Sequence, residues 1–150
     1  MGKYGVFVLI RSLFILLVFI ITLSASPLQT ERKIYQTILH ALFPQKKIVY
    51  VWLDDKSREG VFEHIPGVKV VSYQTDADIL IIKKSYDINV RNKIIFADGY
   101  LVYKQQKHNI IGGFYWQKGR PNLVFIKKNL QKEGIKLPQD LQEYIEEDTF

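Results

Sequence analysis

The chain has 150 residues, of which 47% are hydrophobic, 24% charged and 13% aromatic; this excludes a disordered or fibrous protein and suits one domain of ordinary size. With no Cys, it cannot carry disulfides, thiolate metal sites, a Cys nucleophile or a lipoprotein anchor. The net charge of +6 is spread along the sequence in short groups with no basic stripe.

The first 26 residues read as an export signal. Lys3 and Arg11 open the chain without an acid, residues 12–23 (SLFILLVFIITL) form an uncharged apolar run, and Ser24, Ala25 and Ser26 precede Pro27. Twelve apolar residues fall short of the roughly 20 that cross a bilayer core. Extending the run back to Val6 reaches that length but places Arg11 in the membrane, at roughly 2 kcal/mol or more unless it snorkels. Residues 1–26 are therefore a signal peptide or a retained signal anchor, and either delivers residues 27–150 to the periplasm. Lys3 and Arg11 are two of the 21 bases, so 19 face 15 acids in the exported part, a net +4. Export and the absence of a basic stripe with interleaved aromatics argue against nucleic-acid binding.

Residues 30–43 (TERKIYQTILHALF) carry a helical period, with Ile34, Ile38 and Leu42 on one face and Tyr35 and Leu39 beside them. Thr30 is the expected N-cap and Pro44 the stop. Residues 48–53, 79–82, 94–97 and 123–126 are continuous apolar runs rich in β-branched and aromatic side chains, the mark of strands covered on both faces. Residues 68–73 are a less apolar strand, expected nearer an edge, and residues 57–65 a short crossover helix ended by Pro66-Gly67. Residues 110–116 and 123–126 are expected to form an antiparallel hairpin around 117–122 (QKGRPN). A short helical turn over 129–133 stops at Gly134, and a last helix from Pro138 to about Glu147 turns Leu141, Tyr144 and Ile145 to the core. The expected architecture is one α/β domain over 27–150 with a mixed sheet flanked by helices.

Chemistry is sparse. His40, His64 and His108 do not have metal-ligand spacing, and there is no nucleophile elbow, phosphate loop or dinucleotide fingerprint. No cofactor and no metal are expected. Asp54, Asp55 and Asp98 follow buried strands, at the end where open α/β sheets bind ligands, so they form a candidate ligand rim. Asp also caps strands and starts turns, and no nucleophile accompanies these three. Gly112-Gly113, within a strand, marks a bulge or a close backbone approach, or else cradles a ligand. Phe114, Tyr115, Trp116 and Arg120 are residue types that anchor interfaces, and form the candidate partner surface. Strand alternation sends Phe114 and Trp116 to one face and Tyr115 to the other, so part of this set is expected in the core.

Residues 111–145 (IGGFYWQKGRPNLVFIKKNLQKEGIKLPQDLQEYI) resemble the C-terminal half of the YfiR-like family of periplasmic regulators. The resemblance runs through Gly112-Gly113, Gly119-Arg120, the strand 123–126, Gly134-Ile135 and Leu141, and upstream through residues 94–98 (IIFAD). The chain departs from the family at Phe125-Ile126, where a polar Ile-Asn is common, at Pro138-Gln139, and in lacking cysteines, which excludes redox control. The resemblance implies a single Rossmann-like domain without catalysis. It also implies a regulator that docks on the periplasmic region of a membrane-bound diguanylate cyclase and restrains cyclic-di-GMP signalling. Two other classes stay open at this point: a structural adaptor in a motility or secretion apparatus, and a small solute-binding domain. A homodimer is compatible with all three.

Overall fold

The computed structural model describes residues 26–84 and 92–147, so the expected signal segment, apart from Ser26, lies outside the described residues. The first helix, α1 (Pro27–Leu42), begins three residues ahead of the expected Thr30 cap. Ser26 is the true N-cap, its hydroxyl accepting from the Gln29 amide at 3.3 Å, and Pro27 supplies a pre-set first turn that lacks only an N–H the helix would not use.

Seven strands follow. They are β1 (Val49–Leu53), β2 (Val68–Val71), β3 (Ile79–Ile82), β4 (Ile94–Asp98), β5 (Gly112–Gln117), β6 (Arg120–Ile126) and β7 (Ile145–Glu146). They form one sheet in the order β2-β1-β3-β4-β5-β6-β7. The first five in that order are parallel, β6 runs antiparallel to β5, and β7 is parallel to β6. The mixed α/β sheet is as the sequence leads one to expect, with β2 at an edge.

Both faces are covered, as the continuous apolar strands require. On one face α1 and a crossover built of a 3-10 turn (Lys56–Arg58) and the short helix α2 (Glu59–Phe62) cover the larger core. There Tyr35, Phe62, Phe96, Phe114 and Phe125 are fully buried, and the Tyr35 ring lies 4.6 Å from Phe62 and 5.5 Å from Phe114, centroid to centroid. The opposite face carries a smaller core of Leu80, Ile82, Ile95, Ala97, Ile110 and Val124, packed with Val102 and Tyr103 of α3 (Tyr100–Gln105). This helix is not foreshadowed in the sequence: six residues with two buried side chains are too few to show a period.

The C-terminal part departs from expectation in two places. The expected turn at 117–122 is only Lys118-Gly119, both at positive φ (50° and 74°), the two-residue connection whose twist matches a hairpin. Arg120, Pro121 and Asn122 belong to β6, where Pro121 is tolerated because β7 pairs only with Phe125 and Ile126, leaving the outer side of β6 open beside it. Helix α4 (Lys127–Lys132) then stops before Gly134 at φ 66°. The expected α-helix over 138–147 is instead a 3-10 helix (Gln139–Tyr144) followed by β7. The open ladder at the end of β6 offers Ile145 and Glu146 backbone pairing, and the Tyr103 hydroxyl donates to Glu146 Oε2 at 2.7 Å.

The glycine pair is a close approach and not a bulge, since pairing with β6 runs unbroken through Gly112↔Phe125 and Gly113↔Val124. A Cβ on Gly112 would collide with the Val124 carbonyl oxygen, and one on Gly113 would lie 3.0 Å from the Tyr103 ring.

Candidate functional site

The parallel strands deliver their C-terminal ends to one rim, and α1, running back along the sheet, places its first turns there too. At this rim Asp98, the last residue of β4, is the one buried charged residue among the described residues. Its carboxylate accepts from the Tyr35 hydroxyl at 2.8 Å, from Arg58 Nε at 2.6 Å and from Arg58 Nη2 at 3.3 Å. The third arm of the same guanidinium, Nη1, reaches Glu31 Oε2 at 2.8 Å. Glu31 Oε1 in turn accepts from the Trp116 indole at 2.7 Å. A continuous polar chain thus ties α1, the 3-10 turn after β1, the end of β4 and the hairpin.

The electrostatics follow from the packing. Burial raises the Tyr35 hydroxyl well above its usual value near 10, and the adjacent Asp98 charge adds to the shift, so Tyr35 is a neutral donor. Burial works against the charge of Arg58, but attraction to Asp98 outweighs it, so the pKa lies above the usual value and the cation is fixed. Among the described residues no buried side-chain nitrogen or oxygen lacks a partner. The knot is a clamp whose groups are spent on one another.

The other two carboxylates of the expected ligand rim are also engaged. Asp54 receives the amides of Lys83 (2.8 Å) and Lys84 (2.7 Å), tying the chain after β3 to the end of β1 at the point where the strand order reverses and open sheets bind ligands. Asp55 caps the 3-10 turn through the Ser57 amide at 3.1 Å and lies 3.6 Å from Lys83 Nζ. Hydrogen bonds from Ser57 hold its carboxyl below the usual value. The structure therefore brings Asp54, Asp55 and Asp98 to one rim, each turned to an internal partner.

The expected partner surface divides between faces. Phe114 is 1% exposed and packs in the core, so it is not an exposed anchor. Tyr115 lies on the opposite face, half-buried against Tyr100 (5.2 Å) and Tyr103 (5.6 Å); burial first, then the Glu146 charge, raise its hydroxyl pKa. Trp116 and Arg120 are exposed near the hairpin tip, beside Lys118.

Beside the hairpin, on the α1 face, lies an apolar groove of about 210 Å³ lined by Ile34, Thr37, Pro121, Leu123, Leu141 and Tyr144, with Phe114 at its floor. A wider depression of about 530 Å³, sharing Thr37, continues along α1 past His40 and Ala41 to Pro44, Leu137 and Pro138.

No family model and no curated protein matches this chain.

The groove and the clamp were not legible as units. Arg58 stands 40 residues from Asp98 in the chain, and nothing local marks it as the partner. One signal was present: Glu31 and Tyr35 are four apart on α1, so they share the face that meets the rim. Among the described residues no group of three His, Asp or Glu is placed to hold a metal ion.

Proposed function

We propose that this chain is a non-catalytic, exported binding module that docks on the extracytoplasmic region of a membrane protein and restrains its signalling. The observation that supports this reading is the apolar groove between α1, the hairpin and the C-terminal 3-10 helix, floored by Phe114 and edged by the exposed ring of Tyr144. An apolar furrow flanked by aromatics is suited to receive a partner helix or extended segment through a few side-chain anchors. The titratable groups at the rim, by contrast, are engaged in holding elements together. The resemblance to YfiR-like regulators supports a membrane-bound diguanylate cyclase as the partner and cyclic-di-GMP output as the quantity controlled. Because the chain can act only through a difference in affinity for two states of that protein, its groove would fit the inactive state better.

Photocrosslinking in living cells tests this. A photoreactive amino acid at Tyr144 should capture one membrane protein bearing a cyclase domain, and the same substitution at Lys132, an exposed position on α4, should not. Capture of soluble or motor components alone would contradict the reading.

A further inference from the structure

We propose that the open edge of β6 beside the groove receives an extended segment of the partner protein as an added strand. This deepens the docking role proposed above: it rests on the same groove and fixes the conformation of what enters it. The main chain of β6 dictates that conformation. The Ile126 amide donates to the Ile111 carbonyl at 2.9 Å, on the β5 side. In an antiparallel ladder every second residue bonds the same neighbour, so Val124, Asn122 and Arg120 also face β5. Phe125, Leu123 and Pro121 direct their main-chain groups the other way. β7 pairs with Phe125 and Ile126 and reaches no further along this edge. Among the described residues nothing bonds the Leu123 N–H, the Leu123 carbonyl or the Pro121 carbonyl.

The side chains at this edge belong to the groove. Leu123 and Pro121 pair across the hairpin with Phe114 and Trp116, share their α1 face, and line the groove with Ile34, Thr37, Leu141 and Tyr144. A segment laid antiparallel to β6, the stronger of the two ladders, exchanges two hydrogen bonds with Leu123 and donates a third to the Pro121 carbonyl. The residues making those bonds stand two apart and send their side chains to the α1 face, so apolar residues there fill the groove while the main chain is paired. A helix in the same groove bonds only its own main chain and leaves Leu123 unpaired. In-register pairing of two β6 edges at Leu123 is blocked, because it sets the Phe125 of one copy, already held by β7, against the Pro121 of the other; the partner protein therefore supplies the strand. Pro121, which has no donor, and the shortness of the open stretch keep longer flat strands from pairing here.

The test uses the purified full-length chain in detergent and a phage-displayed library of random decapeptides. Recovered peptides should carry apolar residues at alternate positions. Leu123 gives no bond to β5, so Leu123→Pro removes its outward donor and leaves the hairpin ladder whole, whereas Leu123→Ala shortens the side chain and keeps the donor. A recovered peptide should bind L123P at least about five-fold more weakly than L123A. Should L123P fold poorly, N-methylation of the synthetic peptide reads the same bonds on the unaltered protein. A methyl on either of the two residues that bond β6 should cost at least about ten-fold in affinity, and one on the residue between them less than about two-fold. A library that yields no binder overturns the proposal, as do binders indifferent to Leu123→Pro and to methylation, or binders weakened by a methyl at every position as a helix would be. The docking reading stands or falls separately, on which protein the photoreactive residue at Tyr144 captures in cells.

Discussion

Removing the Asp98 carboxylate tests the clamp most sharply. In Asp98→Ala the Tyr35 hydroxyl, fully buried, loses its only described acceptor, which costs about 1–3 kcal/mol for an orphaned donor. Arg58 loses the carboxylate bonded to two of its nitrogens but keeps Glu31 at 2.8 Å. Breaking a buried ion pair from one side costs about 3–5 kcal/mol, and the surviving Glu31 contact argues for the lower end. Because the two losses overlap at one carboxylate, the expected total is about 4 kcal/mol, a fall in Tm of roughly 15 °C for a domain of this size. Tyr35→Phe alone should cost only about 1–2 kcal/mol, since Asp98 retains Arg58. The double variant Tyr35→Phe/Asp98→Ala should then be no less stable than Asp98→Ala, because the orphaned hydroxyl has gone with its acceptor. Urea denaturation of the detergent-solubilised chain, followed by far-ultraviolet circular dichroism, measures all four corners of the cycle. If Asp98→Ala loses less than about 1 kcal/mol, or if the two substitutions are additive, the clamp does not hold the rim as argued.

Two further predictions come from the same framework. Gly112→Ala should destabilise by about 3 kcal/mol because the new Cβ meets the Val124 backbone, whereas Gly113→Ala should cost about 1–2 kcal/mol, its obstacle being the side-chain ring of Tyr103; equal costs in thermal melts would refute the distinction. Stability should fall with rising pH above about 10: the unfolded chain then releases the Tyr35 proton while the fold, where burial holds the hydroxyl pKa well above that value, retains it, so the native state binds more protons. Tyr35→Phe should flatten this alkaline slope, and an unchanged slope between pH 9 and 11 would show that the buried phenol does not contribute to it.

Legibility in the sequence followed the range of the interactions. Runs such as ILII at 79–82 and IIFAD at 94–98 announced doubly covered strands because burial on both faces leaves no polar alternation to obscure them. Glycine at 119 and 134 marked chain reversals, since both adopt positive φ. The helix start was set at Thr30, three residues late, because Ser26-Pro27 also suits the end of an export signal, although a Ser cap followed by Pro is equally a helix start. Ile145-Glu146 was given to a helix because its pairing partner, the end of β6, lies 20 residues away and leaves no local trace. The rim carboxylates were placed at the right end of the sheet, yet their partners were invisible. The acceptor of Arg58 is 40 residues distant, and the amides that occupy Asp54 belong to the backbone of Lys83 and Lys84. Of the aromatic cluster, alternation correctly separated Tyr115 from its neighbours, but only the packing of α1 shows that Phe114 is floor and Trp116 is surface.

The central claim, that this groove docks a membrane protein and holds its signalling down, is most directly tested by filling it. Thr37 is exposed on α1 and lines both the groove and its continuation, so Thr37→Trp occupies the furrow without touching the clamp or the rim. Intracellular cyclic-di-GMP should rise in a strain carrying this variant to the level seen when the gene is deleted, with the protein still present at its normal abundance. A deletion strain whose cyclic-di-GMP is unchanged, or a filled groove that restrains signalling as well as the natural one, would contradict the account.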